Sequence, residues 1–262
     1  MSRLSSIFSS LKEQNKKALI TYIVSGDPDN QSTIDSMRYM SSHGVDIIEI
    51  GVPFSDPMAE GPSIQRGHER SLENHTSLKG ILNLVGEFRE ENQEIGIVLM
   101  GYMNTFESMG AFDFSSQASK QGVDGIIVVD MPPEESSKFT EETQKHDLDI
   151  IRLVAPTTDK ERVKKICESA SGFIYYISLK GTTGSENINP QDVKKNISHL
   201  NNVSNLPVVV GFGVKNKETV LSIKDLSDGV VVGSTLVDIL GKYGFGKEFQ
   251  EKIDELSSAL VD

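Results

Sequence analysis

The segment DIIEIGVPFSDPMAEGPSIQ (residues 46–65) joins an apolar run to a loop rich in proline, glycine and acid. DIIEIG is almost continuously hydrophobic and rich in isoleucine, as a strand buried on both faces should be. Seven further runs of this kind lie on either side: LITYIV (19–24), GIVLMGY (96–102), DGIIVVD (124–130), LDIIRLV (148–154), FIYYIS (173–178), PVVVGFG (207–213) and DGVVVGS (228–234). Amphipathic, charged stretches of helical length separate them. Eight strands alternating with helices predict a parallel sheet, and the count favours closure into a (β/α)8 TIM barrel, with residues 1–262 as a single domain. The alternative is an open doubly wound sheet. Against it, the first run leads into SGDPDN instead of a GxGxxG turn. An extra N-terminal helix is expected from Leu4, Ile7, Phe8 and Leu11, which recur at helical spacing.

Composition narrows the function. A hydrophobic share of 37% with 24% charged residues describes an ordinary globular chain. No apolar run reaches the length of a membrane span, and the N-terminus lacks the apolar core of a secretory signal, so a cytoplasmic location is expected. The net charge of −12 argues against a nucleic-acid partner, and any phosphate must be held locally against that field. The single cysteine, Cys167, rules out an internal disulfide and reads as a packing residue. His43, His68, His75, His146 and His199 lie away from the strand exits, with no HxH or HExxH spacing, so no metal site is expected and the histidines are read as non-catalytic.

Short segments lead into the strands, whereas those leaving them are long or chemically dense; in a barrel these exit loops build the site. Glu49 stands inside an apolar strand near its C-terminal end. Such a carboxylate is either ion-paired across the barrel or a general acid/base whose pKa burial raises. The next loop supplies Asp56 and Glu60, either as turn-forming acids in solvent or as a second site carboxylate. On the other side of the barrel, Gly184, Gly213, Gly233 and Ser234 mark the exits of strands six to eight and predict a phosphate cradle, with the helix beginning at Ser234 offering free N–H groups. Residues 179–189, with Gly181 and Gly184 as hinges, read as a candidate lid.

These motifs together resemble the tryptophan synthase α chain family. IEIGVPFSDPMAEGPSIQ (48–65) is close to that family's E-x-G-x-P-F-S-D-P-x-A-D-G-P pattern, and GDP (26–28), DMPPEE (130–135), YYISLKGTTG (175–184), GFGV (211–214) and GVVVGS (229–234) follow in family order. The resemblance implies reversible retro-aldol cleavage of indole-3-glycerol phosphate, with Glu49 as acid/base and Glu60 accepting from the indole N–H. It implies an indole pocket walled by Tyr22, Met100, Tyr102, Ile127, Val129, Leu153, Tyr175 and Phe212, and a lid threonine, Thr183, that bonds the second carboxylate. It further implies that this chain needs no cofactor and joins a pyridoxal-phosphate β chain in an αββα complex, with loop 53–60 and segment 104–112 toward that partner.

Three positions depart from the family: Glu60 where aspartate is usual, Tyr22 where phenylalanine is common and Thr182 where valine is common. One added methylene moves a carboxylate by on the order of 1 Å, which costs about 100-fold where positioning is strict. The loop compensates, turnover is low, or the partner orders the loop. Three functions are therefore weighed: an α subunit that cleaves the substrate, a low-turnover regulatory subunit that binds phosphorylated ligand and activates β, and a stand-alone lyase.

Overall fold

The computed structural model describes residues 2–178, 190–211 and 213–261. Eight parallel strands close a barrel in sequence order: β1 (Ala18–Val24), β2 (Ile47–Gly51), β3 (Gly96–Gly101), β4 (Gly125–Val128), β5 (Asp149–Val154), β6 (Ile174–Ile177), β7 (Val208–Gly211) and β8 (Gly229–Val232), with β8 pairing back onto β1. Closure excludes the open sheet. Most of the apolar runs overshoot their ladders by a residue or more, because their terminal glycines and polar residues already turn away from the strand. Gly213 and Gly233 consequently lie beyond the strands on the exit loops, and Ser234 opens the helix that follows β8.

The first half of the helical layer is α1 (Arg3–Glu13), α2 (Asn30–Ser42), α3 (Pro62–Glu73), α4 (Leu78–Glu91), α5 (Met103–Glu107) and α6 (Ala111–Lys120). The second half is α7 (Ser137–Lys145), α8 (Lys160–Glu168), α9 (Pro190–Val203), α10 (Lys217–Ile223), α11 (Ser234–Tyr243) and α12 (Lys247–Val261). Local chemistry fixes several starts. Ser2, Asp29, Ser77 and Asp159 each accept a backbone N–H at an N-cap, and Asn216 forms a capping box with Thr219. Pro62 opens α3, where its missing N–H costs nothing.

Alternation along each strand divides the core. Leu19, Ile23, Ile48 and Ile50 face the helices, whereas Ile20, Tyr22, Val24 and Ile47 face the barrel interior. Glu49 has the parity of Ile47 and therefore points inward. At the N-terminal end of the strands the expected helix α1 inserts Leu4 and Phe8 into the interior cluster. A Cβ on Gly96, Gly125 or Gly172 would press on Leu4, so these glycines make its seat. Asp124 anchors the same helix: it pairs with Arg3, and it accepts from Arg89 at 2.8 Å and from the Ile97 N–H at 2.7 Å. Cys167 is buried in α8, as its spacing predicts. Among the described residues no helix is long and apolar enough to cross a membrane.

Candidate active site

At the C-terminal end of the strands a cavity of about 450 Å³ gathers Tyr22, Glu49, Met100 and Tyr175 from four strands, Glu60 from the β2 exit loop, and Gly213, Gly233 and Ser234 from the exits of β7 and β8. This volume suits a small-molecule ligand. Gly51 and Gly211 end β2 and β7 without side chains, and the phenols of Tyr22 and Tyr175 lie over them where a Cβ would stand.

Glu49 is 1% exposed and pairs in register with Tyr22 on β1 and Val98 on β3. Among the described residues neither carboxyl oxygen has a hydrogen-bond partner, and no ion pair reaches it across the barrel. Burial, and then the charge of Glu60, pushes its carboxyl up to about 8. Burial alone pushes Glu60 up to about 7. Glu60 is half-buried and lines the cavity, while Asp56 is exposed on the same loop, so the two acids of that loop part company.

The loop is pinned from several sides. The Phe54 N–H donates to His68 Nδ1 at 3.0 Å, and the Phe54 ring stacks on Tyr102 at 4.9 Å. The Tyr102 hydroxyl accepts from the Ala59 N–H at 3.1 Å, and Gln65 Nε2 donates to the Glu60 carbonyl at 3.0 Å. Helix α3, which carries His68 and Gln65, is itself held by Arg70, whose guanidinium grips buried Asp27 at 2.6 and 2.8 Å. Glu60 thus hangs from an ordered span of backbone.

On the anion side, Gly213 has φ +78°, a conformation that favours glycine. Gly233 caps α11, and the first backbone bonds of that helix, from Leu236 and Val237, return to the Gly233 carbonyl. The N–H groups of Ser234 and Thr235 therefore precede the first closed turn and are free to meet a ligand. Lys215 lines the same cavity and supplies local positive charge.

The sequence reading set this cradle on the far side of the barrel from Glu49. Closure corrects that distance for its β8 part: β8 is the neighbour of β1, which is the neighbour of β2, and Gly233 packs against Tyr22. Of the expected indole wall, Tyr22, Met100 and Tyr175 line the cavity. Ile127 lies in the interior core, with Val129 and Leu153 packed against that core. Tyr102 spends its hydroxyl and its ring face on the Glu60 loop. Thr183, Gly184 and Phe212, with the whole of the candidate lid 179–189, lie outside the described residues. Ile64 and His68, a helical turn apart on α3, and Lys215 and Asp238 near the anion end were missed. The i, i+4 spacing of Ile64 and His68 directly after the Glu60 loop was the available signal.

The family model described as "Tryptophan synthase alpha chain" matches residues 8–260. The chain belongs to the tryptophan synthase alpha chain family. A tryptophan synthase alpha chain from Marinobacter nauticus is 45% identical over 262 residues, covering 100% of this chain and 95% of that one. The crystal structure of tryptophan synthase subunit alpha from Legionella pneumophila str. Paris superposes with a TM-score of 0.91 at 36% identity, over 100% of this chain and 99% of the other. Tryptophan synthase from M. tuberculosis in its aminoacrylate-bound form gives 0.89 at 31% identity, over 99% and 100%. Against the tryptophan synthase alpha chain pattern, this member carries glutamate at position 60 on a loop that is well tied to its surroundings.

Proposed function

We propose that the chain is the α subunit of tryptophan synthase, a single-domain cytoplasmic lyase that cleaves indole-3-glycerol phosphate into indole and glyceraldehyde 3-phosphate. The observation that carries this reading is Glu49: a buried glutamate with no hydrogen-bond partner among the described residues, facing a cavity shared with a second carboxyl and an anion-receptive helix start.

With its carboxyl raised to about 8, Glu49 is mostly protonated at neutral pH and delivers that proton to C3 of the indole ring. Positive charge then develops at the ring nitrogen, and the Glu60 carboxylate accepts from its N–H. The ionised Glu49 next removes the proton of the hydroxyl on the side-chain carbon attached to C3. The bond between those carbons breaks, its electron pair restores the aromatic ring, and the oxygen becomes the aldehyde carbonyl of glyceraldehyde 3-phosphate. Glu49 ends protonated, so the cycle closes without a net change of protons. Tyr22, Met100 and Tyr175 wall the flat ring over the interior core that holds Ile127, with Val129 and Leu153 packed against that core, and the resemblance adds Tyr102 and Phe212 to the wall. Gly184, Gly213, Gly233 and Ser234 hold the phosphate, and Thr183 bonds Glu60 on closure.

This chain supplies no cofactor of its own, and its partner is a β chain that holds pyridoxal phosphate in an αββα assembly. Met58 on the Glu60 loop and Phe112 at the start of α6 are 80% and 61% exposed, as large apolar side chains reserved for a partner surface would be. The test is indole release from indole-3-glycerol phosphate with and without the cognate β chain. Release accelerated by β establishes the α subunit. Rapid release indifferent to β indicates a stand-alone lyase, and no release with β still activated indicates a regulator.

A further inference from the structure

Helix α3 follows directly on Glu60 and Gly61, and its start lacks the usual fittings. No side chain of its own caps it, and its first turn carries no acid to complement the helix dipole. Asp238, one turn into α11, supplies that charge from the neighbouring helix. Its carboxylate accepts from the Ser63 hydroxyl at 2.7 Å and from Arg66 Nη2 at 3.1 Å, and the same Nη2 reaches the Ser63 oxygen at 3.4 Å. Both charged groups are exposed, so the pair contributes little to global stability. Its placement gives it another use. Asp238 follows one turn after Ser234, at the anion-receptive start of α11, and Ser63 follows closely on Glu60. The two helices are also in close contact. A Cβ on Gly67 of α3 would press on Val237, and one on Gly241 of α11 would press on the Arg70 guanidinium.

We propose that Asp238 is a positioning residue: by holding Ser63 and Arg66 it sets the start of α3, and Glu60 just before it, at a fixed separation from the anion-receptive start of α11. A substrate held by its phosphate at one end and its ring N–H at the other reacts well only when that separation matches its length. Arg66 also offsets the negative charge that Asp238 would otherwise present to a phosphate in the cavity it lines. The inference rests on the reading of Glu60 and the α11 start as two ends of one substrate site.

The experiment compares wild type with Ser63→Ala, Asp238→Ala, the double variant and Ser63→Thr, which keeps the hydroxyl. It measures kcat and KM for indole release, and calorimetric affinity for glyceraldehyde 3-phosphate, which meets the anion end alone. A shift of 1 Å costs about 100-fold where positioning is strict, so a smaller shift on losing the bridge should lower kcat about tenfold in each alanine variant. The double variant should be no slower than either single one, because both remove the same link. Ser63→Ala should leave KM and glyceraldehyde 3-phosphate affinity little changed, and Ser63→Thr should restore kcat. Wild-type kcat in the alanine variants would overturn the proposal. So would losses that multiply in the double variant, the mark of two separate roles, or a fall in glyceraldehyde 3-phosphate affinity in Ser63→Ala that matches its loss of kcat. A wild type that releases no indole would remove the reaction reading instead. Amide exchange at Gly61 and Ser63 would then decide the bridge: faster exchange in Asp238→Ala supports it, and unchanged exchange rejects it.

Discussion

Between about pH 4.5 and 8 the folded chain keeps a proton on Glu49 that the unfolded chain has released. Folding therefore grows weaker as pH rises through that window, and the loss is complete above the folded value. A rise of this size corresponds to about 5 kcal/mol. His68 acts in the opposite sense: its ring is pushed down from 6.5 to about 4, so the unfolded chain binds the extra proton and stability falls as pH drops through that range. Urea unfolding of Glu49→Gln should accordingly match wild type at the acid end and exceed it by several kcal/mol at pH 9. Parallel curves across the whole range would show that Glu49 titrates normally in the fold. The added methylene of Glu60 belongs to the same scale, because its effect depends on what fixes the carboxylate. Here the loop backbone is fixed through Phe54, Ala59 and the Glu60 carbonyl.

Elements decide which of these residues meet. The strands were legible in the sequence because a parallel barrel buries both faces, leaving unbroken Val and Ile runs; Glu49 was legible because it breaks such a run. His68 was legible only in part: its i, i+4 spacing from Ile64 sets the two on one helical face, but the spacing does not say that this face meets the loop before it. The closeness of Gly233 to Tyr22 was also hidden, because it exists only when β8 closes onto β1. Tyr102 illustrates a third limit: the resemblance implied a place in the indole wall, and the fold adds contacts with the Glu60 loop that no sequence pattern displays. Two predictions concern elements. Gly213→Asp forces a strained φ and sets a carboxylate at the proposed anion cradle, so affinity for glyceraldehyde 3-phosphate should fall about 100-fold with the melting temperature little moved. Calorimetric affinity close to wild type would remove Gly213 from that cradle. Leu4→Ala should cost about 2–5 kcal/mol, because α1 seals the bottom of the barrel with that side chain. A loss below 1 kcal/mol in chemical denaturation would mean that the helix merely rests on the strand ends.

At the scale of the whole molecule, stability and chemistry occupy opposite ends of the barrel. Leu4, Phe8 and the Arg3–Asp124–Arg89 cluster close one end, and the exit loops build the cavity at the other. The net charge of −12 repels a phosphorylated substrate at long range, so the helix start at Ser234 and the charge of Lys215 must act locally, within about a Debye length. The exposed apolar residues Met58 and Phe112 lie on the loop that carries Glu60 and at the start of α6. Docking of a partner there would favour one arrangement of the catalytic loop, a direct route by which the two subunits could activate each other. The central claim is that Glu49 moves the proton while other residues hold the substrate. The most direct measurement is single-turnover indole release by Glu49→Gln beside wild type, with glyceraldehyde 3-phosphate affinity measured on the same samples. The account predicts that release is abolished and affinity is retained; release at a substantial fraction of the wild-type rate would contradict it.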